Sequence, residues 1–233
     1  GLYLIKSDGS EMRLLLEQTV LLSYPAFSPD GQWISFSQDG QICKISFDGA
    51  QIDTLTEKEY YFPSSWSPDG SQIAYELRPG DNRGIWIMDS DGNNSELRIP
   101  YAHDPDWSYS DSIIYVNFDG IHSSGAICIA DTSGSAIRII FDVSDNFVPV
   151  GNIPELHRES SIIVFNPQVP GEMQDIWLVN LDGTNLRRVT DFSATFPSFS
   201  PDGSRIVYTD NRDGHLWTMN LDGSNKIKVT GIQ

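Results

Sequence analysis

The stretch FPSFSPDGSRIVYTD (residues 196–210) carries the feature that decides the fold: a Ser-Pro-Asp-Gly run that leads into an apolar, strand-like segment. Nearly the same run occurs as AFSPDG at 26–31 and SWSPDG at 65–70, and in degenerate form as DWSYSD at 106–111. Proline presets φ, aspartate can accept a hydrogen bond from the backbone that follows, and glycine adopts the left-handed conformation. The run therefore predicts a tight turn that recurs along the chain.

The spacing of these turns defines a repeat. Successive serines of the motif lie about 40 residues apart, except that the last gap is about twice as long and leaves room for one degenerate copy near residue 153. Behind each turn an isoleucine is followed two positions later by an aromatic residue. The pairs are Ile34 and Phe36, Ile73 and Tyr75, Ile113 and Tyr115, Ile163 and Phe165, and Ile206 and Tyr208. This alternation predicts a pleated, buried strand in every repeat.

A second turn follows in each repeat, as in IWIMDSDG (85–92) and LWTMNLDG (216–223). Asp-Gly between apolar alternations is a strong hairpin signal, because glycine accepts the positive φ that a two-residue turn requires. Each repeat thus contains four short antiparallel strands, and helical periodicity is absent. Four strands per repeat of about 40 residues are typical of the blades of a β-propeller.

The strand count predicts an all-β, six-bladed propeller, represented here by one domain over residues 1–233. Six third-to-fourth-strand hairpins stand against only five first-to-second-strand pairs, so residues 1–18 are interpreted as the outer half of a blade. Five full blades are expected at about 24–59, 61–101, 103–142, 147–191 and 195–231. Because free sheet edges favour aggregation, we expect the chain to be a fragment of a longer protein.

Composition limits the partners. Lys and Arg number 15 against 32 Asp and Glu, a formal charge of −17, which disfavours nucleic acid and anionic membranes. No segment is apolar over a membrane-spanning length, so membrane insertion is not expected. Cys43 and Cys128 fall in the third-strand packing column together with Tyr3, Trp86, Trp177 and Trp217. They are interpreted as buried hydrophobic residues, with neither a disulfide nor a metal site expected. No cofactor is predicted, and the oligomeric state stays open.

The recurring pattern FSPDG followed by I-x-Y, and then IW-x-MNLDG, resembles the TolB-type β-propeller repeat, a relative of the WD-repeat. The resemblance covers essentially the whole chain and is weakest over about 147–190, where the Pro-Asp-Gly turn is missing. It implies a periplasmic or extracellular six-bladed propeller that binds a protein or peptide. Similar repeats also form the non-catalytic propeller of prolyl-oligopeptidase-like serine peptidases, and related blades occur in pectin-degrading lyases. A fold alone does not choose among these functions.

Variable loops on a rigid scaffold favour one rim of the propeller as the binding surface, namely the rim with the blade-to-blade and second-to-third-strand loops. Tyrosine and arginine are common in recognition hot spots. The candidate binding residues are Tyr60, Tyr61, Arg78, Arg83, His103, Asp104, His122, Arg212 and His215. A competing interpretation applies to Tyr24, Phe62, Phe147 and Phe196, which could fill gaps between blades.

Catalysis has little support in the sequence. It contains no Gly-x-Ser-x-Gly nucleophile elbow and no His-Glu-x-x-His zinc motif, so the chain is predicted not to be an enzyme. Two enzymatic alternatives are kept: a metal-dependent polysaccharide lyase that uses His103, His122 and His215, and the gating propeller of a serine peptidase. The histidines, His157 included, are more simply interpreted as exposed loop residues. A purely structural part of an extracellular repeat protein is a third alternative.

Overall fold

The computed structural model is built from short strands and turns. It describes residues 1–18, 20–59, 61–78, 80–107, 112–117, 125–135, 137–141, 154–157, 159–167 and 171–231. These residues contain no α-helix, in agreement with the predicted all-β class. They form one two-stranded sheet and five four-stranded sheets, each assembled from strands in chain order. We call the four-stranded sheets blades 1 to 5.

The strand bounds follow the repeat. The N-terminal sheet consists of β1 (Leu2–Leu4) and β2 (Arg13–Leu16). Blade 1 consists of β3 (Leu22–Phe27), β4 (Trp33–Gln38), β5 (Gln41–Ser46) and β6 (Ile52–Thr54). Blade 2 consists of β7 (Tyr61–Trp66), β8 (Gln72–Leu77), β9 (Gly84–Asp89) and β10 (Glu96–Pro100). Blade 3 consists of β11 (Ala102–Trp107), β12 (Ser112–Asn117), β13 (Ile127–Asp131) and β14 (Arg138–Phe141).

Blade 4 consists of β15 (Glu155–His157), β16 (Ile162–Phe165), β17 (Trp177–Asn180) and β18 (Arg187–Arg188). Blade 5 consists of β19 (Ala194–Phe199), β20 (Arg205–Asp210), β21 (His215–Asn220) and β22 (Ile227–Lys228). The chain divides into two compact units. The first comprises Gly1–Ile5, Glu11–Tyr115 and Ala130–Ile137, and the second comprises Lys6–Ser10, Val116–Ile129 and Arg138–Gln233.

The Ser-Pro-Asp-Gly run forms the turn between the first and second strands, as predicted. In blade 1 the Ser28 hydroxyl donates to Asp30 Oδ1 at 2.6 Å, the Gln32 amide donates to the same oxygen at 2.9 Å, and the Trp33 amide donates to Ser28 Oγ at 2.9 Å. The same bonds recur at Ser67 and Asp69 and at Ser200 and Asp202. The aspartates of this turn are therefore occupied by scaffold hydrogen bonds.

The Asp-Gly turn between the third and fourth strands has a second role that the sequence did not reveal. At Gly92 φ is +90°, and a Cβ atom added there would lie 2.7 Å from the carbonyl oxygen of Leu55, which follows the fourth strand of the preceding blade. The turn glycines of the other repeats meet a carbonyl of the preceding sheet in the same way: Gly49 at Leu15, Gly134 at Arg98, Gly183 at Ile140 and Gly223 at Val189. At these turns consecutive sheets therefore approach so closely that a side chain larger than that of glycine would press on the preceding sheet.

Apolar side chains fill the space between consecutive sheets. Leu2 and Leu16 of the N-terminal sheet pack on Ile34, Phe36 and Cys43 of blade 1. Cys43 and Cys128 are both buried, 2 % and 0 % exposed, which confirms their interpretation as core hydrophobic residues. Tyr3 departs from the predicted packing column, since it is exposed on β1. The N-terminal sheet has only two strands and leaves that side chain without a neighbouring strand to pack against.

A proline-associated bulge marks the first strand of several blades. The register of β3 shifts between Ser23 and Ala26, and that of β19 shifts between Thr195 and Ser198. Proline has no N–H to donate to the ladder, so the strand bulges where it occurs. The residue before the proline has a positive φ at Tyr24, Asp104 and Phe196. Such a backbone costs about 1–3 kcal/mol and is concentrated at functional sites in proteins. The residue before the proline of the first strand is therefore a candidate position for a functional site.

Candidate functional site

The first compact unit contains a buried charged cluster at the end of β8. Glu76 lies on this strand with its side chain fully buried. Its carboxylate accepts hydrogen bonds from Arg78 Nε at 2.5 Å, from His103 Nδ1 at 2.5 Å and from the Asp104 backbone N–H at 3.1 Å. Burial raises the pKa of Glu76, but these hydrogen bonds outweigh the burial and hold the pKa below its usual value. Glu76 is therefore an ionised and fully satisfied anchor.

Asp104 contrasts with Glu76, although it lies beside it. Its side chain is buried, with 6 % of the residue exposed, and its carboxylate accepts no hydrogen bond from the described residues. The nearest cation is Arg78, whose Nη2 lies 3.8 Å from Asp104 Oδ1. Burial, together with the negative charge of Glu76, raises the pKa of Asp104 to about 7. The site thus contains one carboxylate that is satisfied and another that has unused acceptor capacity.

Aromatic rings complete this site. The Arg78 guanidinium lies over the ring of Phe62 at 4.0 Å from its centroid, and Phe62 meets the ring of Tyr24 edge-on at 6.4 Å. Tyr24, Phe62 and Asp104 each precede a proline in the first strand of consecutive blades. Because the positions are equivalent, the three blades direct these side chains toward one place. We call the set of Tyr24, Phe62, Glu76, Arg78, His103 and Asp104 the Arg78 site.

Tyr61 and Arg83, two further candidate residues of the first unit, contact residues other than those of the Arg78 site. Tyr61 packs edge-on against Tyr75, with ring centroids 5.4 Å apart, and its carbonyl accepts a hydrogen bond from Ser37. Arg83 lies over the ring of Tyr101 at 4.9 Å from the centroid. Both side chains therefore have packing partners inside or beside blade 2.

Arg212 and His215 lie in the second unit, where they have their own partners. Arg212 lies 3.8 Å over the ring centroid of Phe192 and donates to the buried carboxylate of Asp210 at 2.6 Å. His215 Nδ1 lies 3.3 Å from the Thr230 hydroxyl. Phe196, which was expected to fill a gap between blades, is instead 58 % exposed. Tyr60, His122 and Phe147 fall outside the described residues.

The described residues offer no group of three or more histidine, cysteine, aspartate or glutamate side chains that could hold a metal ion. His103 is engaged with Glu76. The interpretation of the histidines as exposed loop residues was wrong for the three that the structure describes. His157 ends β15 and is buried, and His103 and His215 lie on β11 and β21 and are partly buried. The His157 ring lies 5.4 Å from that of Phe199, and its Nδ1 lies 2.9 Å from the Ser160 hydroxyl. The structure thus gives His157 a packing role between blades 4 and 5.

A cavity of about 240 Å³ lies by the Ser-Pro-Asp-Gly turns of blades 1 and 2. Trp33, Trp66 and Lys44 are among its lining residues. The Lys44 ammonium lies 4.7 Å over the Trp33 ring and donates to the Ser90 carbonyl at 2.7 Å. An internal lysine therefore already supplies the cation for this aromatic surface.

Three residues of the site were not among the sequence-based candidates. Tyr24 and Phe62 were interpreted as gap-filling residues between blades, and Glu76 lies inside a strand, in QIAYEL (72–77), whereas the candidates came mostly from loops. The sequence nevertheless contains a signal, which is the single carboxylate of Glu76 in an apolar strand. A blade between two neighbours buries both faces of its sheet, so a carboxylate within one of its strands needs charged partners. Arg78, two residues later, is one of these partners. His103 is too distant in sequence to have been assigned as the other.

Comparison with known proteins was informative at the level of the repeat. No family model matches the chain. An uncharacterized protein of Agrobacterium fabrum is 26% identical over 211 residues, which cover 85% of this chain and 69% of that protein. The Tol-Pal system protein TolB of Bordetella pertussis is 29% identical over 152 residues, covering 62% of this chain and 33% of its own length. The alignment with that TolB therefore spans about a third of the curated relative.

Solved structures share the architecture. A putative TolB from Agrobacterium tumefaciens superimposes with a TM-score of 0.78 at 21% identity, covering 94% of this chain and 84% of that chain. TolB from Acinetobacter baumannii superimposes with a TM-score of 0.79 at 18% identity, covering 97% of this chain and 58% of that chain. An oligogalacturonate lyase in complex with manganese superimposes with a TM-score of 0.65 at 12% identity, covering 97% of this chain and 69% of that chain. At these identities the structural likeness establishes a β-propeller of antiparallel four-stranded blades. Among the described residues, no helix has the length and apolarity needed to cross a bilayer.

Proposed function

Since the chain is a TolB-type β-propeller, we propose that it is a non-enzymatic binding module that recognises a protein or peptide through the Arg78 site. The observation that carries the proposal is the convergence of Tyr24, Phe62 and Asp104 from three blades around one arginine. Aromatic residues and arginine are enriched where proteins bind one another. The name of the TolB relatives, which assigns them to the Tol-Pal system, is consistent with a protein partner.

The strained backbone supports a binding role over a packing role. Tyr24 and Asp104 have positive φ values of 55° and 50°. A packing role alone gives no reason for this cost, because other first-strand residues pack between blades in an extended conformation. The burial of Asp104 without a hydrogen bond adds a second cost to the free energy of folding. Costs of this kind are commonly retained where a ligand is bound.

A pull-down with variants tests the proposal. The immobilised protein and its Arg78→Ala and Tyr24→Ala variants are exposed to a soluble extract of the source organism, and recovered proteins are identified by mass spectrometry. Arg138→Ala serves as the matched control, because it removes one arginine from β14. The guanidinium of Arg138 donates to the Leu181 carbonyl and acts on the exposed Asp182, and both lie outside the Arg78 site. We expect the two site variants to lose a partner that wild type and control retain.

The same experiment separates folding from binding. Removing Arg78 leaves Glu76 with one charged partner fewer, so thermal unfolding of each variant is measured first. Tyr24→Ala does not disturb the hydrogen bonds of Glu76, which makes it the independent second variant. Equal recovery of every partner by all four folded proteins would contradict a recognition role for the Arg78 site.

The enzymatic alternative of a metal-dependent polysaccharide lyase is kept, because a manganese-bound oligogalacturonate lyase shares the fold. The measurement is the formation of unsaturated products from oligogalacturonate in the presence of Mn²⁺, followed by ultraviolet absorbance. We expect none above the rate without protein. The gating-propeller alternative is tested by the encoded sequence next to residues 1 and 233, where a hydrolase domain would have to appear.

We further propose that the domain belongs to a six-bladed propeller in which β1 and β2 are the outer half of one blade, with full blades over the five ranges given above. The observation in support is the exposure of Phe27, which is 54 %, while the equivalent residues Trp66, Trp107 and Phe199 are 5 %, 5 % and 8 % exposed. In blade 2 the preceding blade covers this position, since the Trp66 indole donates to the Ala26 carbonyl. A periplasmic or extracellular location is proposed as well, because the TolB-type repeat implies it.

A further inference from the structure

The Arg78 site has an acceptor that the fold itself does not use. Asp104 is more than nine-tenths buried, and no described residue donates a hydrogen bond to its carboxylate. Its neighbour Glu76 takes three donors, including the Nε of Arg78 at 2.5 Å. Arg78 Nη2 lies 3.8 Å from Asp104, beyond hydrogen-bonding distance. A buried carboxylate of this kind needs hydrogen-bond donors that the described residues do not supply, from water or from a ligand.

The charged groups around Asp104 favour a donor that carries a positive charge. Glu76 and Arg78 belong to blade 2, His103 precedes Asp104 on β11, and the phenol of Tyr24 reaches the same region from blade 1. Glu76 is paired with both the Arg78 guanidinium and His103, whereas the Asp104 carboxylate has only Arg78 Nη2, 3.8 Å away. A ligand carboxylate would be repelled by the Asp104 carboxylate, which has no hydrogen-bonded cation, whereas a ligand cation would pair with it. The formal charge of −17 favours a cation as well.

We propose that Asp104 binds a lysine ammonium group carried by the protein or peptide partner, with the rings of Tyr24 and Phe62 flanking the bound side chain. The inference rests on the proposed function, because it assigns the chemistry of the partner at the same site. An ammonium supplies up to three N–H donors to a carboxylate and is attracted to aromatic faces. Arginine would satisfy the same charge, but lysine is the smaller group beside a guanidinium that already covers Phe62.

Two small probes test the sign of the charge without any identified partner. The isotope-labelled 26.0 kDa protein is titrated with Nα-acetyl-lysine methylamide and, separately, with Nα-acetyl-glutamate methylamide, and amide shifts are followed by NMR. We expect the lysine probe to shift the amides of His103 and Asp104 with an affinity on the order of millimolar, as for one charged contact. The glutamate probe should leave both amides unchanged.

Variants identify the carboxylate responsible. Asp104→Asn keeps the shape but removes the charge, and should weaken the lysine probe about tenfold or more. Asp81→Asn removes the same charge from the exposed loop after Arg78 and should leave the affinity unchanged within about twofold. Equal binding of the lysine probe to wild type and Asp104→Asn, or amide shifts caused by the glutamate probe, would overturn the assignment. The pull-down result would be unaffected, so the two proposals fail separately.

The pH dependence gives a readout that a purely structural aspartate would not move. The folded pKa of Asp104, about 7, lies above the usual 3.8, so the folded protein binds an extra proton between these values. Ionisation of Asp104 therefore lowers stability as pH rises from about 4 to about 7. Asp104→Asn should raise the Tm by several degrees more at pH 8 than at pH 4, and lysine-probe affinity should rise from pH 6 to pH 8 in wild type only. A Tm that falls in the variant at pH 8 would assign Asp104 to the scaffold and contradict the proposal.

Discussion

At the scale of single residues, the same residue type has different roles in different surroundings. The aspartates of the Ser-Pro-Asp-Gly turns are exposed and bonded by neighbouring hydroxyl and amide groups, which hold the pKa of Asp69 and of Asp202 at about 2. Asp104 is buried without such bonds, and its pKa is raised. The turn aspartates are explained by local backbone chemistry, whereas no hydrogen bond from the described residues accounts for the Asp104 carboxylate, which is why a ligand is proposed there. Composition alone does not separate the two classes.

The turn glycines provide the residue-scale prediction. Gly92→Ala should destabilise the protein by about 2 kcal/mol or more, because the positive φ costs about 1 kcal/mol for alanine and the new Cβ would press on the Leu55 carbonyl. Gly80→Ala is the matched control, since Gly80 has a similar φ of +86° but no atom within 4 Å of the added Cβ. Urea unfolding of both variants measures the difference. Equal losses would show that the blade-to-blade contact contributes nothing beyond the backbone conformation.

At the scale of the blade, stability comes from neighbours. Blades 1 and 2 share an apolar cluster in which Ile42 and Leu55 of one pack with Trp66, Ile73 and Met88 of the other. Blades 4 and 5 share another, with Leu178 on one side and Phe199 on the other. A four-stranded sheet has two apolar faces and depends on such contacts to remove both from water. Where the preceding blade is incomplete, the aromatic residue at the end of the first strand is consequently exposed, as Phe27 is.

Two aromatic residues at equivalent positions test this dependence. Trp66→Ala should cost about 3–5 kcal/mol of unfolding free energy, because Trp66 is buried between blades 1 and 2. Phe27→Ala should cost less than about 1 kcal/mol in residues 1–233, because most of this ring is already exposed. The measurement is chemical denaturation of both variants. In a longer protein that supplies the inner strands of the N-terminal sheet, the cost of Phe27→Ala should rise toward that of Trp66→Ala. A large cost for Phe27→Ala in residues 1–233 would contradict the half-blade proposal.

At the scale of the whole molecule, the formal charge of −17 over 233 residues sets how partners approach. Charge of one sign accelerates association with oppositely charged partners and is screened by salt. The acidic surface agrees with the cationic group inferred at Asp104. The solved TolB structures share the propeller architecture of this chain, whereas the ligand depends on the residues of the individual site.

Salt dependence provides the prediction at this scale. The association rate of the partner recovered by the wild-type protein should fall about tenfold between about 0.05 M and 0.5 M NaCl, as screening shortens the range of the field. Surface plasmon resonance measures the rate. Asp104→Asn should mainly accelerate dissociation, because it changes one local contact and leaves nearly all of the total charge in place. An association rate that does not vary with salt would argue against electrostatic recognition.

The sequence by itself determined the repeat, the all-β class and the turn types, because these depend on interactions between residues close in the chain. Ser28 and Asp30 are two residues apart, and their turn could be predicted from local chemistry. Only the tertiary structure determined the site. Glu76 and His103 are 27 residues apart in the chain and belong to different blades, and Tyr24 belongs to a third. The stacking of blades brings such residues together, and no local pattern records which strand positions meet across a blade interface.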